Sequence, residues 1–473
     1  MKGFHRALGK GLGKPLIEPP AMVSVLGAAR SGIAAAELLL DQGYDVYLSD
    51  SRRNKTLEEN CRPLAERGAE ISLGWHDKDV LWNSDFMVIS PGIDEKIFLQ
   101  PGGIFKNIPL ISEVELAFWF CPVPLTAVTG TNGKSTTVTL LGKILAESGV
   151  PCRVAGNIGT ALCQVVRELK DEILLVVEIS SYQLHTIISF RPRLAMMINL
   201  SPDHLERYQD LTEYFSAKER LFMNMEKEDL VILNADQAET ASRARKIVKP
   251  GLFWFGFDEG PDHLAFVRAG KVYLRRPGEK AKEVIKLSKI RLPGRHNVEN
   301  ILAATAAAGA LGASAKAAAR VASTFTGLPH RLEKVAEIEG VTFINDSKAT
   351  TVDSVLRALE SLSGPVVLIM GGRHKGSTYQ PLAGQLRTRG RRIVVIGEAR
   401  EIIQRELGAF CPVSLADSME QAVEWARESA LPGDTVLLSP GCSSFDMFTD
   451  YEERGDTFKS IVSGKKKNGT QAV

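Results

Sequence analysis

The residues with the most chemical content form the run Thr129-Gly130-Thr131-Asn132-Gly133-Lys134-Ser135-Thr136. Glycines let backbone N–H groups approach an anion, and a helix N-terminus adds positive potential. A lysine and a hydroxyl beside such a turn can meet outer phosphates and a magnesium ion. Lys134 and Ser135 stand in those two places. Only Thr131 and Asn132 separate Gly130 from Gly133, fewer residues than the common phosphate-loop pattern requires. By itself the loop fits a motor, a kinase, a switch or a ligase.

Three further residues share its surroundings. Glu178 follows the apolar run Ile173 to Val177, where a carboxylate would be a magnesium ligand or simply a surface or capping group. His204 follows Asp203 after a second apolar run, Leu194 to Ile198. Lys218 falls within a helical face set by Leu211, Tyr214, Phe215, Leu221 and Phe222. It either snorkels to solvent or is buried. A buried lysine has a depressed pKa and a nucleophilic amine. Conversion of that amine to an anion would let it join His204 and Glu178 at a second metal. Two metals with a phosphate-loop lysine suit phosphoryl transfer to an acceptor oxygen. No Gly-x-Ser-x-Gly elbow is present, so a serine acyl-enzyme is not indicated.

Cations and hydroxyls also collect at three C-terminal turns. These are Asp346-Ser347-Lys348-Ala349-Thr350, Gly371-Gly372-Arg373-His374-Lys375 and Ser439-Pro440-Gly441-Cys442-Ser443-Ser444. Lys348 and Lys375 are placed to grip a small substrate bearing a carboxylate, or are solvated loop lysines.

The elements that would position these groups read as three α/β blocks. The first opens with a strand at Met22 to Leu26, a turn Gly27 to Gly32, a helix from Ile33 to Leu40 and a strand from Asp45 toward Asp50. It resembles a dinucleotide fingerprint with Ala29 in place of the middle glycine, which disfavours NAD and leaves a nucleotide diphosphate possible. Phe86 to Ile89 adds a strand ending at Ser90-Pro91-Gly92. The second block opens with the phosphate loop, and Gly149 and Pro151 stop its helix. Residues 253 to 292 read as strand-like, and the alanine-rich Ile301 to Val321 as helix. The third block begins near Gly327 and has strands at Val366 to Met370, Ile393 to Ile396 and Val436 to Leu438. Alternating strand and helix signals imply parallel sheets, whose ligands gather at the carboxyl ends of the strands. The expectation is α/β with three domains: 22–118 Rossmann-like, 119–327 with a P-loop-type central parallel sheet, and 328–473 Rossmann-like. Residues 1–21 form a basic, glycine-rich extension, expected to be flexible.

Composition sets the class. The chain has 473 residues, 44% hydrophobic and 24% charged, with a net charge of +2. That is a globular composition with no charge excess for binding nucleic acid. No apolar run has membrane-spanning length. Cysteines 61, 121, 152, 163, 411 and 442 lack metal-ligand spacing, and no secretion signal is visible, so reduced thiols in a cytoplasm are expected.

Taken together, the motifs resemble the Mur ligases and folylpolyglutamate synthetases. The phosphate loop fits both. Leu292-Pro293-Gly294-Arg295-His296-Asn297, Gly327-Leu328-Pro329-His330-Arg331-Leu332-Glu333, Asn345 to Thr350 and Ser201-Pro202-Asp203-His204-Leu205-Glu206-Arg207-Tyr208 fit the Mur ligases. The resemblance covers nearly the whole chain after about residue 22.

It implies ATP-dependent amide formation between the L-alanyl carboxylate of UDP-N-acetylmuramoyl-L-alanine and the amine of D-glutamate, through an acyl phosphate. Lys134 would stabilise the transferred phosphoryl group. Ser135 and Glu178 would bind one Mg2+; His204 and Lys218, the latter carbamylated, would serve a second. Gly130 to Thr136, Asn297, Arg331 and Asp346 would hold ATP. Ser31, Asp50, Ser51, Arg52, Ser90, Pro91, Gly92 and Asn157 would meet the UDP-substrate. Lys348, Thr350, Lys375, Ser444 and Tyr451 would receive D-glutamate. Tyr451 stands where some members have phenylalanine. A cytoplasmic monomer without nucleic-acid or membrane partners is implied, with the third block swinging onto the second. Three other readings stay open: a Mur-type ligase for another amino acid, a nucleotide-binding regulator and a dinucleotide-dependent oxidoreductase.

Overall fold

A computed structural model describes residues 13–93, 107–170, 173–201, 208, 210–243, 249–292, 294–374 and 376–464. The chain divides into two units, Met1–Phe325 and Thr326–Val473.

The first unit contains two sheets. One is wholly parallel, with strands β1 (Met22–Leu26), β2 (Asp45–Asp50), β3 (Glu70–Leu73), β4 (Phe86–Ile89) and β5 (Leu110–Ser112) in the order β3-β2-β1-β4-β5. The order reverses at β1 and β4, the place where a parallel sheet opens a crevice at its carboxyl edge. The other sheet has nine strands. These are β6 (Leu125–Thr129), β7 (Cys152–Gly156), β8 (Leu174–Glu178), β9 (Leu194–Met197), β10 (Leu230–Asn234), β11 (Gly251–Phe255), β12 (His263–Arg268), β13 (Lys271–Leu274) and β14 (Lys282–Lys286). Their order is β14-β13-β12-β11-β10-β9-β6-β8-β7. Pairing is parallel except at the β12–β13 and β13–β14 hairpins. β6 therefore lies between β9 and β8, which sets the neighbours of the phosphate loop.

The alanine-rich stretch is helical, as expected, with one break. It forms two helices, Arg295–Ala310 and Ala315–Thr324. Gly312 adopts φ 91, and Ser314 caps the second helix through Ala317 N, so the chain breaks where a left-handed residue meets a new N-cap.

The second unit carries a six-stranded sheet: β15 (Glu333–Ile338), β16 (Val341–Asn345), β17 (Val366–Gly371), β18 (Gly390–Ile396), β19 (Val413–Leu415) and β20 (Thr435–Leu438). The order is β15-β16-β20-β17-β18-β19, and only β15 is antiparallel. Val366, Leu368 and Met370 face one apolar core while Val367 and Ile369 face another. A strand buried on both faces reads as a continuous apolar run, which is why these strands were legible without alternation. The architecture is thus α/β throughout. Among the described residues no helix is long and apolar enough to cross a membrane, and no disulfide forms.

One buried carboxylate joins the two sheets of the first unit. Glu115 lies on the helix Glu113–Trp119, which follows β5. It is fully buried. Its oxygens accept from Ile188 N at 3.1 Å, Ser189 N at 2.8 Å, Phe190 N at 2.9 Å and Trp119 Nε1 at 2.8 Å. Residues 188–190 lead into β9, so this side chain fixes the entry to a central strand. Truncation would leave two buried donors, Phe190 N and Trp119 Nε1, without this acceptor, each costing about 1–3 kcal/mol, and would free the half-buried Ile188 and Ser189 amides. Glu115→Ala should therefore lower hydrogen-exchange protection of the Ile188–Phe190 amides by about a hundredfold. A loss below about threefold would count against this role.

Candidate active site

The phosphate loop leaves β6 and enters the helix Lys134–Glu147 through Gly133 at φ 78. A Cβ at Gly133 would stand 2.2 Å from Asn300 Oδ1 on the helix Arg295–Ala310, so both the backbone angle and the packing require glycine. The loop is clamped from the neighbouring strand. Asn199, just past β9, accepts from Thr131 N at 3.0 Å and Asn132 N at 2.8 Å, and donates to Asn132 O at 2.9 Å. Tyr214 places its hydroxyl 3.2 Å from Thr131 Oγ1.

Two lysines turn inward onto this loop. Lys134 Nζ donates to Gly130 O at 2.9 Å and Thr131 O at 2.7 Å. Lys218 comes from the helix Leu211–Glu219, is 1% exposed, and donates to the same Gly130 O at 2.9 Å. Its ammonium lies 4.6 Å from the Tyr214 ring centroid. The lysine in the apolar face is therefore buried beside the phosphate loop and does not snorkel.

Glu178 ends β8, paired with Val128 of β6 and Gly156 of β7. Its Oε1 accepts from Asn157 Nδ2 at 2.9 Å. Its Oε2 is buried with no hydrogen-bond partner among the described residues. A buried carboxylate oxygen left unsatisfied is the expected state of a ligand for a hard cation. Ser135 is buried at the start of the adjacent helix. The donor set fits magnesium, which keeps several waters and takes few protein oxygens. Asn297 lies half-buried at the start of its helix, and its Oδ1 accepts from Asn300 Nδ2 at 3.3 Å. His204 lies outside the described residues.

At the carboxyl edge of the first sheet, Asp50 Oδ2 accepts from Ala28 N at 3.0 Å. Arg52 donates to Asp50 through its backbone N at 2.9 Å, Nε at 3.0 Å and Nη2 at 2.9 Å. Burial raises the carboxyl pKa, but these bonds outweigh it and bring it down to about 2. Asp50 thereby ties the turn after β1 to the loop after β2. Ser90 is buried and donates to Gly27 O at 3.3 Å. Ser31 and Pro91 are half-buried, and Ser51, Arg52 and Gly92 are exposed around this edge.

In the second unit Asp346, Lys348 and Thr350 follow β16 and Ser444 follows β20, a neighbouring strand of its sheet, while Arg331 precedes β15 and Tyr451 opens the helix Tyr451–Val462. Asp346 is buried, accepting from Leu332 N at 3.1 Å and Ser439 Oγ at 2.9 Å. Burial raises its pKa to about 6 against the lowering effect of those bonds and of Arg331. Arg331 is exposed and flanked by His330 at φ 61 and Leu332 at φ 42, two left-handed residues that only a tightly determined turn sustains. Lys348 Nζ lies 5.4 Å from the Tyr451 ring centroid. Tyr451 donates its hydroxyl to Glu452 Oε1 at 2.9 Å. Thr350 follows Ala349, whose carbonyl accepts from Gly441 N at 2.8 Å, and Ser444 is buried on that same loop. Lys375 lies outside the described residues.

Sequence reasoning missed Asn199, Asn300 and Arg454, the last a fully buried residue of the helix Tyr451–Val462. The first two had faint signals: a polar residue closing an apolar strand, and an asparagine in an alanine-rich helix. Arg454 had none.

The chain matches three family profiles: a Mur ligase MurD-like N-terminal domain over residues 21–99, a Mur ligase middle domain over 128–308, and a Mur ligase glutamate ligase domain over 330–442. It is 41% identical over 444 residues to the UDP-N-acetylmuramoylalanine–D-glutamate ligase of Koribacter versatilis, covering 93% of this chain and 96% of that protein. It is 41% identical over 444 residues to the ligase of the same name from Geobacter metallireducens, covering 93% and 97%. The fold is similar to that of MurF from Acinetobacter baumannii, with a TM-score of 0.56 at 17% identity over 97% of this chain and 98% of the other.

Two expectations follow from the geometry. Asn199→Ala removes three bonds that shape the phosphate loop, so the dissociation constant for a nucleoside triphosphate should rise about tenfold or more. Calorimetric titration showing less than a twofold change would contradict the clamp. Asp346 binds its proton more tightly in the folded chain than at the ordinary carboxyl value of 3.8. Its stabilising contribution is therefore complete below that value and is lost as pH rises through about 6. Asp346→Asn mimics the protonated form. The variant should melt at or above the parent's temperature at pH 7.5, with the gap closing near pH 4. A clear drop at pH 7.5 would refute this.

Proposed function

The chain belongs to the Mur ligase family, and we propose that it joins D-glutamate to UDP-N-acetylmuramoyl-L-alanine with cleavage of ATP to ADP and phosphate, in peptidoglycan precursor synthesis. The observation that carries the reading is the shortened phosphate loop flanked by Glu178 and the buried Lys218, in a chain 41% identical to named D-glutamate ligases. The reaction begins with attack of the L-alanyl carboxylate on the γ-phosphorus, which breaks the bond to the β,γ-bridging oxygen, releases ADP and forms an acyl phosphate. The D-glutamate amine then attacks the acyl carbon, and phosphate leaves.

Lys134 offsets charge on the transferring phosphoryl group. Its ammonium now satisfies two loop carbonyls, acceptors that phosphate oxygens can replace. The rest of the loop through Thr136 cradles the phosphates, and Asn297, Arg331 and Asp346 hold the nucleotide. Ser135 and Glu178 are suited to one magnesium ion, and His204 and a Lys218 carbamate to a second; bound there, the metal neutralises phosphate charge. Ser31, Asp50, Ser51, Arg52, Ser90, Pro91, Gly92 and Asn157 are assigned to the UDP-substrate. Asn157 is tied to Glu178, which couples that substrate's loop to the metal ligand. Lys348, Thr350, Lys375, Ser444 and Tyr451 are assigned to D-glutamate. In this reading the enzyme works in the cytoplasm as a monomer.

Phosphate release with UDP-N-acetylmuramoyl-L-alanine and ATP should require D-glutamate and fail with L-glutamate, L-alanine or meso-diaminopimelate. Turnover with one of the others and not D-glutamate would sink the assignment. Glu178→Gln should lower kcat by about a hundredfold or more. Lys218→Ala should be inactive and partly restored by formate; parent-like activity would end the carbamate assignment.

A further inference from the structure

The loops assigned to D-glutamate meet above one buried guanidinium. Arg454 lies one turn inside the helix Tyr451–Val462 and is 1% exposed, among the largest fully buried side chains of the molecule. Its Nε donates to Ser347 Oγ at 3.0 Å and its Nη2 to Ser347 O at 2.9 Å. Its Nη1 donates to Cys442 O at 3.2 Å. Ser347 Oγ in turn donates to Tyr451 O at 2.8 Å. A Cβ at Gly372, at φ 126, would stand 2.3 Å from Ser443 O and 3.2 Å from Arg454 Nη1, so the loop after β17 packs onto the same point. One side chain thus holds the residue before Lys348, the loop that carries Ser444 and the backbone of Tyr451.

Among the described residues its hydrogen bonds all go to uncharged oxygens. A guanidinium buried without a contacting carboxylate is costly, and a neutral side chain could tie loops at lower cost. Burial pulls its pKa down, partly opposed by Cys442 and Asp446, to about 10, so the charge persists at neutral pH. A positive charge retained at this cost beneath a receptor makes sense where the ligand is a dianion. D-glutamate brings two carboxylates.

We propose that Arg454 is a positioning residue of the amino-acid receptor, fixing the Lys348 and Ser444 loops in one geometry and adding positive potential for a dicarboxylate substrate. The inference rests on the D-glutamate reading above. Arg454→Lys keeps the charge and loses the fork, and Arg454→Met loses both. With each substrate varied in turn, KM for D-glutamate should rise about tenfold in Arg454→Lys and about a hundredfold in Arg454→Met. KM for ATP and for the UDP-substrate should stay within about twofold. Ser347→Ala removes one acceptor and should raise KM for D-glutamate about threefold or more, which decides the matter if Arg454→Met fails to fold. An unchanged KM for D-glutamate in Arg454→Lys and Ser347→Ala would overturn the proposal. An equal rise for all three substrates would overturn it too, by reducing Arg454 to a general structural tie. A parent enzyme that releases no phosphate in response to D-glutamate would overturn the underlying reading, and this one with it.

Discussion

Two lysine ammonium groups converge on the carbonyl oxygen of Gly130, and much of the first unit serves to make that possible. Lys134 reaches it from the helix the loop opens, and Lys218 from a helix 88 residues further along the chain. A buried ammonium must find oxygens. Here the loop that would cradle phosphates supplies them. The arrangement holds only if the loop cannot sag, and Asn199 and Tyr214 brace it from the side of β9. Glu178 flanks it from the side of β8. The sheet order β9-β6-β8 is therefore an electrostatic arrangement as much as a topological one.

The second unit stores its charge differently. Asp346 and Arg454 are both buried and both shifted toward their neutral forms by loss of water. Neither forms a direct ion pair with the other. Each organises a turn at the carboxyl edge of the same sheet: Asp346 through Leu332 and Ser439, Arg454 through Ser347 and Cys442. Left-handed His330 and Leu332 add backbone strain around Arg331. Stability is given up along the edge where ligands are expected, while the strands behind it are packed on both faces.

Much of this was visible in the chain. Continuous apolar runs marked the doubly covered strands, because burial on both faces removes alternation. The glycine spacing marked the phosphate loop, because few residues tolerate its backbone. Lys218 stood out as a charge in an apolar stripe, and it is buried. The break at Gly312 was missed, because alanine favours helix so strongly that a single glycine does not stand out against it. Arg454 was missed for a related reason: in a helix rich in Glu, Asp and Lys, one more charge reads as solvated surface.

The sequence by itself determined the α/β class, the phosphate loop, the strand end that carries Glu178, the turn that carries Asp346, and the family motifs. These depend on residues close together in the chain, where steric rules and periodicity act directly. Only the tertiary structure decided which groups meet. Asn199 clamps Asn132 across 67 residues, and Arg454 holds Ser347 across 107. A hydrogen bond is satisfied by any nearby oxygen, so no local string records which distant partner folding will deliver.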